Sequence, residues 1–349
     1  MWLLCIATSV GWDLVGPEGQ PTGRQVDPQD HFAREDWAPG PAASPAQDLA
    51  QQASAVLTWL RAHPEAEVEG MLAPLGVDRV RVEDTLAFVV RIAREDAGQA
   101  SQRLEEPAFL AGHFEYWAWT SDVAGAQARG VALEPDQIRL TKYLAWSVEG
   151  RDAPEGVFQH ALYADPGPDL RGLTRPEVVA GAFREGAHAG RAEPLVWLTE
   201  EGVYEALMQG TIEVRVPGRA ARLYNVHVSN GVPYVPTQKD PSEQERYWYF
   251  RQVDALRGVE GIALSPQVAV AGDVQDLGLG LLVGLTMDDG GLRLAVLADT
   301  GGAFEPNLFQ LDWLAGTYAT RAEFEAAVKP IPVRTSAGIL VLKDGVRVE

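Results

Sequence analysis

The chain has 349 residues, 46% of them hydrophobic and 22% charged, with a formal net charge of −20. Such a composition fits a globular protein of one or two domains with enough apolar residues for a sizeable core. Its acidity argues against nucleic acid or an anionic membrane surface as the main partner. The one cysteine, Cys5, excludes an intramolecular disulfide and a thiolate metal cluster, and the six histidines, none paired four residues apart, form no metal motif.

Residues 1–15 (MWLLCIATSVGWDLV) are apolar but lack a basic leader region and are too short to span a membrane. They read as an apolar tail or a truncated signal peptide. Cys5 lacks the small preceding residue that a lipid-attachment site needs. With the Pro-, Gly- and Asp-rich stretch that follows, residues 1–45 form a disordered tail and linker. Ser44-Pro45-Ala46-Gln47 then gives a capping-box start to a helix, with Leu49, Ala53, Val56, Leu57 and Leu60 on one face and a stop before Pro64. The spacing of Leu86, Val89, Val90 and Ala93 predicts a second helix over about 82–97. Both helices read as scaffold.

The segment from Phe109 to Trp117 reads as an aromatic core strand that includes Gly112, Phe114 and Glu115. From Ala118 to about Glu245 strand-like pieces alternate with turns. Thr174 is placed to cap a short helix begun by Pro176 and Glu177. Gln209-Gly210 and Asn230-Gly231-Val232-Pro233-Tyr234 are polar turns near aromatic residues. That pairing suits a saccharide, because amides bond sugar hydroxyls and aromatic faces cover the apolar face of the ring. Asn230-Gly231 reads equally as a plain hairpin turn.

The stretch 264–316 carries the strongest signal. Three aspartates stand where strands should end. Asp273 follows Val268-Ala269-Val270-Ala271, Asp299 follows Leu294-Ala295-Val296-Leu297-Ala298 and precedes Thr300-Gly301-Gly302, and Asp312 precedes Trp313. Met287-Asp288-Asp289-Gly290-Gly291 between them is a hairpin turn. Any one of these aspartates could simply cap a turn. Clustered, they would raise one another's pKa, which suits a general acid acting on a sugar or an ester.

These residues resemble the C-terminal part of the MltA family of membrane-bound lytic murein transglycosylases, with its three-aspartate ("3D") signature. The family pattern S/A-I/V-A-x-D-x-x-x-I-P-L-G is matched by Ala269-Val270-Ala271-Gly272-Asp273 and Leu277-Gly278-Leu279-Gly280. D-T/V-G-G-A-I/F is matched by Asp299-Thr300-Gly301-Gly302-Ala303-Phe304, and the last aspartate by Asp312-Trp313-Leu314-Ala315-Gly316. Weaker likenesses precede these at Gly112 to Glu115, Leu162 to Pro166, Gly172 to Glu177, Gln209 to Ile212 and Tyr224 to Tyr234. Gly278 stands where the family has proline. The step from Asp299 to Asp312 is two residues longer than usual; placed otherwise, the insertion would put Gln310 in the third column. Only residues 236–246 follow Tyr234 where family members carry several helical turns.

The resemblance spans about residues 109–332. It implies a mainly β fold: a double-psi β-barrel from residues 46–117 and 247–335, with N-terminal helices, a second β domain inserted over 118–246, and a C-terminal hairpin over 336–349. It implies cleavage of the bond between N-acetylmuramic acid and N-acetylglucosamine in peptidoglycan, leaving 1,6-anhydromuramyl ends. Asp312 would be the acid and base, with Asp299 and Asp273 tuning it. Gln209, Gly210, Asn230, Gly231, Tyr234, Phe114, Glu115, Thr300, Gly301 and Gly302 would contact glycan in a groove. It further implies no metal or organic cofactor, glycan strands as partner, a monomer, and a place in the cell envelope or periplasm with peripheral or lipid-anchored association with the outer membrane. Two rivals remain open: a barrel that binds glycan without cutting it, and a hydrolase of another polysaccharide using Asp299 or Glu305 as second carboxylate.

Overall fold

The computed structural model describes residues 12–15, 21–233, 235, 238, 243–301, 304 and 306–347. Cys5, Tyr234, Gly302 and Glu305, singled out above, lie outside the described residues. In chain order the elements are β1 (Trp12–Val15), β2 (Pro21–Val26), β3 (Phe32–Glu35), α1 (Ala46–Ala62), α2 (Arg79–Glu95), α3 (Pro107–His113), β4 (Phe114–Trp119), β5 (Ile138–Glu149), β6 (His160–Tyr163), α4 (Arg175–Val179), β7 (Pro194–Leu198), α5 (Glu200–Gln209), β8 (Thr211–Arg215), β9 (Arg222–Ser229), β10 (Trp248–Val253), β11 (Ala269–Ala271), α6 (Val274–Leu277), β12 (Leu282–Thr286), β13 (Leu292–Asp299), β14 (Gln310–Tyr318), α7 (Arg321–Val328), β15 (Arg334–Thr335) and β16 (Ala337–Leu342). No described helix is long and apolar enough to cross a membrane.

The chain divides into two compact units. The first is built from residues 1–142, 258–315 and 328–349. Its sheet runs in the order β14-β11-β13-β12-β16-β4-β3. The β11–β13 pair is parallel and the other pairs are antiparallel. The strands at its centre are buried on both faces, which is why β12, β13 and β16 read as continuous apolar runs. Helix α1 buries Leu49, Ala53, Val56, Leu57 and Leu60, and α2 buries Leu86, Val89, Val90 and Ala93, as their spacing requires. Polar side chains stitch both helices to the strands. Ser44 Oγ donates to the Leu294 carbonyl and accepts its N–H, and Thr85 Oγ1 accepts the Leu342 N–H. Ser44 is thus spent on the sheet, and α1 starts after Pro45 with no side-chain cap.

The second unit comprises residues 143–257 and 316–327. The C-terminal part of β5 lies parallel to β8, and β8-β9-β10 continue antiparallel, while β6 and β7 form a separate pair. Leu162, Val196, Leu198, Ile212, Val214, Tyr224 and Phe250 make one core cluster. Thr174 and Glu177 form the expected capping box at the start of α4.

Four further sequence expectations need revision. Residues 1–45 are not a disordered tail and linker throughout: β1 pairs with β2 and β3 with β4, and Leu14, Val26 and Phe32 are buried. Residues 109–113 are helical, because Pro107 sits in the first turn of α3, where its fixed φ suits a helix; the strand begins only at Phe114. Residues 336–349 are not a terminal hairpin: β16 is an inner strand between β12 and β4, all six of its residues buried. Asn230-Gly231 is no two-residue hairpin either, since β9 pairs with β10 across the long connection from 230 to 247.

Candidate active site

The three aspartates meet at one end of β11. Ala271 is the cross-strand partner of Asp312 on β14 and of Asp299 on β13. Asp273 follows two residues later as the N-cap of α6. In-register residues point to the same face of a sheet, and strands lie about 4.8 Å apart. Asp299 and Asp312 therefore flank Ala271 on one face, with Cα atoms roughly 10 Å apart. A β-bulge makes this alignment. Val270 pairs with Leu297 but Ala271 with Asp299, so Ala298 is skipped. With regular pairing Ala298 would stand in the row and Asp299 would turn to the opposite face.

The three carboxyls differ. Asp273 is fully buried; its Oδ1 accepts the Asp276 N–H at 3.0 Å and its Oδ2 the Asn307 N–H at 2.7 Å. Burial and the charge of the equally buried Asp276 push its carboxyl well above the usual range, against the pull of those two N–H groups. Asp299 is half-buried, and its Oδ1 accepts the Thr300 N–H at 2.9 Å. Asp312 is mostly buried, and burial pushes its carboxyl up to about 6, opposed by the Thr141 hydroxyl and by the charges of Lys142 and Arg139. Its Oδ1 is buried and has no hydrogen-bond partner among the described residues. A carboxylic acid with an elevated pKa keeps its proton closer to neutral pH, as a general acid must.

Thr141, Lys142 and Arg139 carry no motif, and the sequence alone does not single them out. They reach Asp312 because β5 starts beside β14, where the Arg139 N–H donates to the Phe309 carbonyl at 2.8 Å. Thr141 Oγ1 accepts from Gln310 Nε2 at 3.0 Å and donates to the Leu311 carbonyl at 3.2 Å. The same hydroxyl opposes the upward shift of the Asp312 carboxyl. Burial lowers the Lys142 pKa, and Asp312 and Asp288 oppose that shift; its Nζ donates to the carbonyls of Leu140 (3.0 Å) and Pro332 (2.5 Å). Gln310 is buried, and its side-chain amide donates a hydrogen bond to Thr141 Oγ1. Asp312, not Gln310, shares the row with Ala271 and Asp299.

The other sequence-selected residues have varied surroundings. Phe114 is 2% exposed and meets Phe88 edge-on at 5.6 Å, while the buried Glu115 pairs with Arg34 (3.0 Å) and Arg81 (3.1 Å). Both side chains serve the interior of the first unit and present nothing to a ligand. In the second unit Asn230 is buried with its amide fully used. Its Nδ2 donates to the Leu173 and Glu245 carbonyls (3.0 Å each), and its Oδ1 accepts the Val232 (3.2 Å) and Tyr247 (3.0 Å) N–H groups. Two donors and two acceptor sites exhaust an asparagine. Asn230→Ala is therefore expected to act on folding: it strands buried backbone groups and costs about 2 kcal/mol or more in urea unfolding; an unchanged midpoint would refute that role. Gly231 takes φ 76° and its N–H donates to Ser229 Oγ. Gln209 ends α5 half-exposed, and Gly210 closes the helix at φ 73°. The Gly301 carbonyl accepts the Phe304 N–H at 2.9 Å. No group of three or more His, Cys, Asp or Glu suited to a metal occurs among the described residues.

No family model and no curated protein matches the sequence. Solved structures do match. A membrane-bound lytic murein transglycosylase from Agrobacterium tumefaciens aligns with TM-score 0.60 and 16% identity over 86% of this chain and 93% of that one. E. coli MltA with bound chitohexaose aligns with TM-score 0.62 and 14% identity over 89% and 93%. MltA from Neisseria gonorrhoeae aligns with TM-score 0.57 and 15% identity over 96% and 98%. The chain has the fold of the MltA lytic transglycosylases.

Proposed function

We propose that the protein is a lytic transglycosylase of peptidoglycan with Asp312 as its single acid and base. The observation that carries this reading is the Asp312 carboxyl: raised to about 6, in one row with Asp299, with a buried oxygen free of any described partner.

In the proposed reaction the Asp312 carboxylic acid protonates the glycosidic oxygen between N-acetylmuramic acid and N-acetylglucosamine. The bond from muramyl C1 to that oxygen breaks. The muramyl C6 hydroxyl attacks C1 and gives its proton to the Asp312 carboxylate, which restores the acid and leaves a 1,6-anhydro ring. Attack from within the sugar removes the need for a water or an enzyme nucleophile, so one carboxyl performs both transfers. Thr141 and Lys142 would stabilise the carboxylate between the two transfers. Asp299 would contribute charge and hold sugar hydroxyls, with Thr300 and Gly301 beside it. Asp273 would act from beneath by fixing the turn. Gln209, half-exposed and with no described side-chain hydrogen bond, is the sugar-contacting candidate of the second unit. The reading carries with it a double-psi arrangement of the first unit's strands, glycan strands as partner, action as a monomer, and a place in the cell envelope with peripheral attachment to the outer membrane.

Mass spectrometry of purified sacculi incubated with the protein tests the proposal. Anhydromuropeptides are the expected product. New reducing ends would indicate a hydrolase, and intact sacculi that retain the protein would indicate a binding module.

A further inference from the structure

We infer that the hairpin of β1 and β2 is a clasp that positions the backbone leading into Asp312, with Trp12 and Arg24 as its positioning residues; this rests on the role proposed for Asp312. Trp12 Nε1 donates to Asp276 Oδ1 at 2.9 Å. Arg24 donates from Nη1 and Nη2 to the two oxygens of Asp122, at 2.6 and 2.5 Å. Neither acceptor is a surface group: Asp276 is 0% and Asp122 5% exposed. A buried carboxylate that loses a donor is left costly to keep charged, so these contacts constrain more than an exposed ion pair would.

From each acceptor a short path leads to residues 307–309. The Asp276 N–H donates to Asp273 Oδ1, and Asp273 Oδ2 accepts the Asn307 N–H. The Asp122 N–H donates to the Leu308 carbonyl at 3.1 Å, and Trp119 Nε1 donates to the same oxygen at 3.2 Å. Asn307 Oδ1 in turn accepts the Phe309 N–H at 3.1 Å. All three residues are buried. The backbone just ahead of Asp312 is thus fastened from two sides, and the hairpin holds both fastenings.

Trp12→Phe removes one N–H and keeps an aromatic ring; Arg24→Met keeps the apolar stem. Each is expected to speed hydrogen exchange at the Asp276 and Asn307 amides about tenfold while β12 and β16 stay protected. Each should lower kcat on soluble glycan strands about tenfold with KM unchanged, and Arg24→Lys should recover part of the loss. Unchanged exchange at Asn307 would overturn the clasp. So would a loss of protection spread evenly over the unit, or local loosening with kcat intact. If the wild type releases no anhydromuropeptides, the reading of Asp312 fails, and the exchange measurement still decides whether the hairpin fastens this backbone.

Discussion

Asp312→Asn is expected to stop anhydromuropeptide release, slowing it at least ~10²-fold, the scale of a positioned proton donor, and further if the same group serves both transfers. Asparagine keeps the shape and cannot supply the proton, so binding to sacculi should persist while chemistry fails. The pH dependence has a definite sign. Burial holds the Asp312 carboxyl at about 6, above its ordinary 3.8, so the acid form is populated below about 6 and activity falls as pH rises through that value. The folded chain also binds this proton more tightly than the unfolded one. The group's contribution to stability is therefore most favourable at low pH and declines as pH rises from about 4 to about 6; Asp312→Asn removes that dependence. Asp299→Asn should slow release less than Asp312→Asn and leave the pH profile largely unchanged, because the Asp312 shift is set by burial, Thr141, Lys142 and Arg139; Gln310→Ala removes a buried donor to Thr141 and should cost about 1 kcal/mol of stability. Full release by Asp312→Asn together with none by Asp299→Asn would make Asp299 the catalyst.

The parts of this site that were legible in the sequence are those written as local patterns. The faces of α1 and α2 follow from residue spacing, the Thr174–Glu177 capping box from four adjacent residues, and the aspartates from their places after apolar runs. What was hidden depends on which strands become neighbours. The bulge at Ala298, which turns Asp299 into the row of Asp312, depends on pairing between β11 and β13 and leaves no mark in the apolar run 294–298. Thr141 matters because β5 begins beside β14 some 170 residues later in the chain. Asn230 was selected for its polar turn, but its burial decides its use: a side chain that satisfies four backbone groups has nothing left for a sugar. Likewise Glu115, a glycan contact only by the family resemblance, is taken up by Arg34 and Arg81.

Gly278→Pro would install the residue that the family pattern has at this position, and it is expected to destabilise this chain severely. Gly278 lies at φ 95° and ψ 150°, a conformation open to glycine and closed to proline, whose ring fixes φ near −65°. Its N–H closes the turn of α6 by donating to the Val274 carbonyl at 2.9 Å, a bond that proline removes. The backbone also has no room. A Cβ at 278 would come within 2.7 Å of the Gly70 nitrogen, and one at Gly70 within 2.1 Å of the Leu277 carbonyl carbon. The two segments meet glycine against glycine, bridged at Glu69 and Gly278. Loss of a hydrogen bond with a ring clash costs at least ~3 kcal/mol in a helix, a large share of the 5–15 kcal/mol that roughly bounds a typical domain. The unfolding midpoint in urea should drop accordingly, with Gly70→Ala also strongly destabilising. An unchanged midpoint for Gly278→Pro would mean that residues 277–279 can turn with negative φ, and that glycine at 278 is not required by the crossing at Gly70. Gly278 lies directly after the turn that Asp273 caps, so activity of any surviving Gly278→Pro protein should also fall, through displacement of Asp273, of the Asn307 N–H it accepts and of the backbone leading into Asp312.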